Sequence, residues 1–476
     1  YHSPNLDDYI FIDSSTCRTN STPPFPLSSS HYPVSISLQD PECKQVHQYR
    51  QIWRMNTTLL KRPKHRAHIM KLFNKYYEKS KDSRNKDSTY EAFKSKARNY
   101  LKTIQDEQAS LLKQEKKELE RLSTILEYNF EHDDDQMENA KARLLQMEDD
   151  SIIRQRSKFL ATDCTLGSKN TSYHFRIAKK SFSCSQMKEM ATMNNELKKD
   201  QKGIELANVE YWSHIMRKRA ICRGDLACIT CNQRVCENAL HTVISTIPND
   251  AKMSNKSKET LGLNKSPSEF LTTQDLLASI KSLKLNKSPG PDGLPIEFYE
   301  LICEAPDGDR KLAEWLKAIF IQSYRSGMLP SHMRKSQIRL IYKKETEEDK
   351  KYPKNYRPIA LLNVDYKILS KTLANILVDT LPDIINEDQF CMKNRFIGDL
   401  IQQIIGIANY QRAENKPGFL AMLDFEKAFD SVNHEFTFKI MEAFGIPKEF
   451  IKWSSLAFID TQACCIINGK RSKYFD

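Results

Sequence analysis

The stretch Phe419–Ser431, reading FLAMLDFEKAFDS, holds the residues best able to do chemistry. An unbroken apolar run from Phe419 to Leu423 leads into Asp424, and Phe429 and Asp430 follow shortly after. A short apolar run of this kind predicts a strand buried on both faces of a sheet. The carboxylate then emerges where the strand leaves the core. An aspartate so placed suits a divalent cation, because Mg²⁺ takes hard oxygen ligands. Spacing alone leaves a second reading open, in which Asp424 only caps the next turn. A second cluster comprises Cys222, Cys228, Cys231 and Cys236, with His241 beyond. Only Cys228 and Cys231 have ligand-like spacing, and structural zinc sites need two such pairs, so zinc is not expected here.

The elements around Asp424 can be read from pattern. Ile338, Leu340 and Tyr342 alternate with Arg339, Ile341 and Lys343, which predicts a strand with one face inward. The return segment Tyr356–Ala360 contains Pro358 and so belongs at a sheet edge or carries a break. Residues 365–381 predict an amphipathic helix with Ile368, Leu369, Leu373, Ile376, Leu377 and Leu381 inward. A further helix, 401–412, should lead into the apolar strand. Beyond Asp424 a helix from His434 should stop at Gly445, with Pro447 after it. A second should cover 448–458. Residues 461–467 and 471–475 flank Asn468-Gly469, a strong hairpin signal. Upstream, Thr272 or Thr273 opens a helix bearing Leu276, Leu277, Ile280 and Leu283. That helix stops at Ser288-Pro-Gly-Pro-Asp-Gly293, a loop that neither helix nor strand can cross. A helix at 311–324 ends before Gly327 and Pro330.

The chain has 476 residues, formal net charge +12 and a hydrophobic content of 39%. That length predicts two or three domains, and the charge suits a polyanionic partner. No apolar run approaches a membrane span, the N-terminus has no signal-peptide pattern, and no membrane partner is expected. The cysteines form no dense framework and read as reduced intracellular thiols. Residues 45–147 are helical and highly charged, with separate helices expected at 87–105 and 108–130. Residues 154–180 interleave cations with Tyr173 and Phe175, a composition that suits RNA. Residues 181–260 read as a helical insert, and 249–267 as a polar linker.

FLAMLDFEKAFDSVNH resembles motif A of reverse transcriptases, in the version carried by LINE-type (non-LTR) retrotransposons. KSPGPDGLPIEFYE (287–300), IRLIYKK (338–344) and NYRPIALLN (355–363) precede it in that family's order. Residues 1–40 resemble the end of the apurinic-type endonuclease found in many such proteins. There His31 matches the family's histidine, while Ser30 stands where its aspartate belongs. The segment 154–180 resembles the stretch between nuclease and polymerase. In DQFCMKNR, Gln389, Phe390 and Arg395 match a template-side element whose glycine is out of place.

The resemblance implies an α+β fold: right-hand polymerase fingers and partial palm, preceded by a long, mostly helical extension and a small endonuclease remnant. The corresponding divisions are 1–40, 41–180, 181–268 and 269–476. It implies an RNA-directed DNA polymerase that uses Mg²⁺ (or Mn²⁺) with template RNA, a DNA primer or target, and dNTPs. Intracellular placement, in nucleus and cytoplasm, goes with it. Asp424 would be the catalytic metal ligand, with the Phe425 carbonyl a second ligand. Lys343 and Arg357 would grip the triphosphate. Phe429 would lie under the sugar and exclude a 2′-hydroxyl. The family's downstream Phe/Tyr-x-Asp-Asp pair does not occur after Asp424, so the 476 residues alone are expected to be inactive. The alternative is a non-catalytic RNA-binding remnant of a decayed or domesticated retroelement.

Overall fold

The computed structural model describes residues 52–128, 187–216, 221–222, 235–248, 251–343, 346–386, 389, 392, 395–424, 427–430 and 432–476. Packing divides the chain into one compact unit of residues 50–102 and 186–476, and another of residues 1–49 and 103–185. The larger unit therefore takes in residues on both sides of the boundaries expected near 180 and 268. The expectations for residues 1–40 and 154–180 lie outside the described residues.

Two helices open the described chain, α1 (Pro63–Asp82) and α2 (Lys86–Tyr128). Sequence pattern predicted two helices where α2 runs unbroken, because the polar residues between 105 and 108 include no Gly or Pro to stop it. Ile69, Phe73 and Tyr77 on α1 and Tyr90, Phe93 and Ala97 on α2 are buried at helical spacing. They pack around Trp315, whose ring centroid lies 6.0 Å from Phe73, 5.2 Å from Tyr90 and 6.1 Å from Phe93. Trp315 sits on α6 (Gly308–Ser326), which closes on Gly327 in the left-handed region. Before it come α4 (Thr273–Ser282) and α5 (Ile296–Cys303), after the earlier α3 (Gln201–Met216). Thr272 is the cap of α4: its hydroxyl accepts from Asp275 N at 3.1 Å, while the Asp275 carboxylate accepts from Thr272 N.

A four-stranded sheet supplies the second layer, in the order β2-β1-β3-β4. Its strands are β1 (Lys335–Tyr342), β2 (Tyr356–Leu361), β3 (Gln462–Ile467) and β4 (Lys470–Arg471). β2 is an edge, where Pro358 lacks no ladder donor that the sheet needs. β1 and β3 run parallel; the other pairs are antiparallel. Asn468 (φ 51°) and Gly469 (φ 83°) turn the β3–β4 hairpin, both positive as a primed turn requires. Helix α3 crosses this sheet with Ile204, Ala207 and Trp212 buried against Ile338, Tyr356, Cys465 and Ile467. The region read as an insert thus contributes core. Likewise the expected linker 249–267 holds Asn255–Thr260 as helix, and Leu261 is fully buried.

After β2 come α7 (Val364–Val378), α8 (Ile397–Ala413), α9 (His434–Ala443) and α10 (Lys448–Ser455). Ile368, Leu369 and Leu373 of α7 are buried as expected, while Ile376 and Leu377 are only half-buried. No residue of α8 is buried.

The helical and sheet layers meet at a buried charge cluster. Lys94 Nζ lies 2.6 Å from Asp365 Oδ2 and 2.9 Å from Asp292 Oδ2, with Lys94 2% and Asp365 0% exposed. His332 Nε2 lies 3.1 Å from the same Asp365 oxygen, and its Nδ1 is 3.2 Å from Glu91. Burial alone would depress the Lys94 ammonium, but the Asp365 and Asp292 carboxylates hold it well above the usual lysine value. Burial pushes the Asp365 carboxyl up; Lys94 and then His332 outweigh this and hold it below the usual carboxylate range. Asp292 stays raised, its burial only partly offset by Lys94. Beside the cluster, Gly290 lies so close to Asn363 that a Cβ would meet its backbone N at 2.3 Å.

Replacing Lys94 by Met strands two buried carboxylates, and should destabilise the fold by about 3–5 kcal/mol at neutral pH, read by urea unfolding. Because the Asp365 carboxyl is depressed in the folded state, its contribution is present above its unfolded pKa near ~4 and is lost as pH falls. In the variant the stranded carboxylates accept protons readily. The deficit should therefore shrink as pH is lowered through the carboxylate range; a deficit constant with pH would show that the ammonium does not stabilise these carboxylates.

Candidate functional site

The β1–β2 hairpin fixes two of the predicted site residues. Its register pairs Ile338 with Ala360, Leu340 with Pro358, Ile341 with Arg357 and Tyr342 with Tyr356. Ile338, Leu340 and Tyr342 face the core, as their alternation predicted. Arg339, Ile341 and Lys343 are exposed on the other face. Lys343 N donates to Asn355 O at 2.9 Å, which continues the ladder one step past the strand. Arg357 sits opposite Ile341, and Lys343 lies two residues beyond Ile341. The two cations are thus diagonal neighbours on one open face. The loop that closes the hairpin is tied down by the Tyr356 hydroxyl, donating to Lys350 O at 2.8 Å, and by Asn355 Nδ2, donating to Asp349 O at 3.0 Å.

The far end of the sheet is braced from outside. Arg471 donates to the Pro291 carbonyl of the Pro-Gly-Pro-Asp-Gly loop at 3.0 Å. Asn468 is gripped from three sides: it accepts from Met187 N at 2.9 Å and donates to Met187 O and to Gln201 Oε1.

The stretch 419–424 departs from expectation. Residues 419–423 form no strand; Phe419 is 95% and Leu423 90% exposed, and Asp424 is exposed. The reason is pairing: among the described residues no strand lies alongside this run, and an apolar segment becomes a buried strand only where a neighbour takes its backbone groups. Asp424 is thus exposed at the end of an unpaired run, while Lys343 and Arg357 are carried by the β1–β2 hairpin. As an exposed carboxylate, Asp424 fits one position on a hydrated Mg²⁺, which takes one or two carboxylates plus substrate phosphates. Among the described residues no group of three His, Cys, Asp or Glu side chains is placed to hold a metal.

Beyond Asp424 a turn at 427–430 carries Phe429 and Asp430. Asp430 N donates to Lys427 O at 3.0 Å, and Lys427 has φ 50°. Both Phe429 and Asp430 line a cavity of about 330 Å³ with Ile338, Ala360, Ile215 and Met216. Phe429 stands at its mouth, 97% exposed. This cavity is on the core-facing side of the sheet, so Phe429 and the two cations lie on opposite faces. Burial pushes the Asp430 carboxyl up, and the Lys343 and Lys427 charges partly offset this.

His31, Phe425, Phe390, Cys228 and Cys231 lie outside the described residues. The backbone pairs Cys222 with Cys236 in a short parallel bridge, and His241 is exposed. Arg395 donates to the carbonyls of Asn386 and Gln389, at 2.6 and 2.8 Å. Sequence reasoning missed Tyr211, Asn468 as an anchor, and the packing of α3 on the sheet. Trp212 was the available signal, since a tryptophan in a helical segment is seldom left out of a core.

Residues 341–475 match the reverse transcriptase (RNA-dependent DNA polymerase) family. The chain is 30% identical over 201 residues to the Transposon TX1 uncharacterized 149 kDa protein of Xenopus laevis, covering 42% of this chain and 14% of that protein. It is 30% identical over 192 residues to the Pol polyprotein of the type-2 retrotransposable element R2DM of Drosophila melanogaster, covering 38% of this chain and 16% of that one. A probable RNA-directed DNA polymerase from transposon BS of the same fly is 26% identical over 176 residues, 36% of this chain and 18% of the relative. The chain thus spans less than a fifth of the length of these curated relatives. Among the described residues no helix is long and apolar enough to cross a membrane. The ordered motifs, the cation-bearing hairpin and these similarities agree: residues 341–475 form a segment similar to reverse transcriptases, of the kind carried by the transposon and retrotransposable-element proteins above.

Proposed function

We propose that this chain supplies the nucleotide-gripping part of an RNA-directed DNA polymerase, which adds dNTPs to a DNA primer or nicked target on template RNA. The observation that carries this reading is the β1–β2 hairpin, whose open face bears Lys343 and Arg357 within the family-matching residues. A triphosphate needs fixed positive charge without proton chemistry, and a guanidinium can hold it bidentately. The edge position of β2 leaves that face reachable by a large substrate. Phe429 lies across the β2 edge from the two cations and, by the motif match, is the sugar-facing bulk that disfavours a 2′-hydroxyl. Asp424 and the Phe425 carbonyl are the proposed ligands of Mg²⁺ (or Mn²⁺). When bound, the ions of such polymerases lower the pKa of the attacking hydroxyl and neutralise the leaving pyrophosphate. In this reading residues 1–40 are an endonuclease remnant without activity, and 41–180 an extension that touches RNA.

One carboxylate does not hold two ions. The 476 residues by themselves are therefore proposed to bind nucleotide without extending a primer. The net charge of +12 favours a second reading, a non-catalytic RNA-binding remnant. Nucleotide binding separates the two. Arg357→Ala should weaken dNTP binding by the intact chain about tenfold or more, since a charge-assisted hydrogen bond is lost. Equal affinity in Arg357→Ala and wild type would reject the proposed grip.

Primer extension on an RNA template tests the catalytic half. Measurable extension by the 476 residues alone would overturn the half-site argument. In a longer protein that carries this segment and does extend, Asp424→Asn should abolish extension while RNA binding persists. Joint loss of both would make Asp424 a structural residue.

A further inference from the structure

Helix α3 lies outside the family-matching residues, yet its C-terminal end reaches the turn that carries Phe429 and Asp430. Tyr211 makes the contact. Its hydroxyl accepts a hydrogen bond from Lys427 Nζ at 2.5 Å, and the same ammonium stands 5.0 Å from the ring centroid. Lys427 is the residue of that turn with φ 50°, in the left-handed region where a side chain with a Cβ is disfavoured. Such a conformation persists where surrounding contacts impose it. Here those contacts include both the hydrogen bond and the ring of Tyr211.

Tyr211 is itself rigidly seated. Its ring packs edge-on against Trp212, with centroids 5.1 Å apart at 88°. Trp212 is fully buried in the cluster that includes Ile338 and Tyr356 of the β1–β2 hairpin. A buried cluster of packed side chains, with Tyr211 at its margin, therefore joins the hairpin to the 427–430 turn. One helical turn beyond Tyr211, Ile215 and Met216 wall the cavity whose mouth holds Phe429 and Asp430.

We propose that Tyr211 is a positioning residue: it fixes the 427–430 turn against the sheet and so sets how Phe429 faces the sugar of an incoming nucleotide. The assignment of a sugar contact to Phe429 rests on the function proposed above; the positioning of the turn does not. A helix contributed from outside the family-matching segment would then tune nucleotide discrimination.

Hydrogen–deuterium exchange on the full 476-residue chain tests the positioning without needing catalysis. The readout is the Asp430 amide, which donates to Lys427 O. In Tyr211→Leu it should exchange about tenfold faster, the expected effect of losing a hydrogen bond and a cation–ring contact together. Tyr211→Phe retains the ring and should recover part of that protection. Amides of β1 should be unchanged in both. If Tyr211→Leu loosens β1 as well, Lys427→Met removes the same contact from the exposed side and carries the test. Unchanged Asp430 exchange in a folded Tyr211→Leu or Lys427→Met chain would overturn the proposal.

The sugar contact is read separately, as the ratio of dATP to ATP affinity of the same chains. Wild type should favour dATP, and the ratio should move toward unity in Tyr211→Leu and recover in Tyr211→Phe. A wild-type chain with no such preference, combined with a faster Asp430 amide in the variants, would reject the nucleotide reading and keep the positioning role. A preference in wild type that Tyr211→Leu leaves unchanged would reject the link from Tyr211 to the sugar.

Discussion

An ammonium buried between two carboxylates is expensive to desolvate, and such a group persists only where geometry is good and remaining lone pairs find partners. Lys94 meets both conditions, with Asp292 and Asp365 in direct contact and His332 completing the Asp365 shell. Each partner sits on a different part of the chain. Lys94 comes from α2, Asp292 from the Pro-Gly-Pro-Asp-Gly loop, His332 from the segment before β1, and Asp365 from the start of α7. The cluster therefore sets the relation of the helical layer to the sheet. Asn363 reinforces it, accepting from Asp292 N at 3.1 Å and donating to His332 O at 2.7 Å. Gly290 is required at the same place because the loop backbone passes against Asn363 without room for a side chain.

From this anchor the geometry passes outward to the sheet. The loop that Lys94 holds also accepts from Arg471 on the last strand. On the opposite face α3 covers the sheet, and Asn468 ties the final hairpin to Met187 and Gln201. A four-stranded sheet with one covered face is stable where an isolated hairpin is marginal. That support lets the β1–β2 edge project Lys343 and Arg357 from a fixed backbone rather than from a mobile loop. The segments read as extension and insert are in this sense parts of the hairpin's foundation.

The motif that reads most clearly in sequence is the least enclosed in space. Phe419 and Met422 are apolar and exposed, and so are Ile401, Ile404 and Ile407 on the neighbouring α8. Local pattern specifies how willing a segment is to be buried. Burial itself needs a partner surface, and the described residues do not bring one to this run. Asp424 accordingly ends an exposed run, whereas the cations that the same family resemblance assigns to its site stand on a paired hairpin.

The sequence by itself determined the family resemblance, the order of motifs and most local elements. The alternation of Ile338 to Lys343, the proline that sends β2 to an edge, the Thr272 cap and the Asn468-Gly469 turn all act over a few residues, so they are legible one stretch at a time. Tertiary structure decided the rest. That Lys94, one lysine in a charged helix, is buried depends on carboxylates far away in the chain. That Tyr211 touches the turn at 427–430 depends on how α3 crosses the sheet. That residues 419–423 stay exposed depends on the absence of a pairing strand among the described residues. Contacts of high sequence separation carry no local signature, and only the fold reveals which of many similar side chains are brought together.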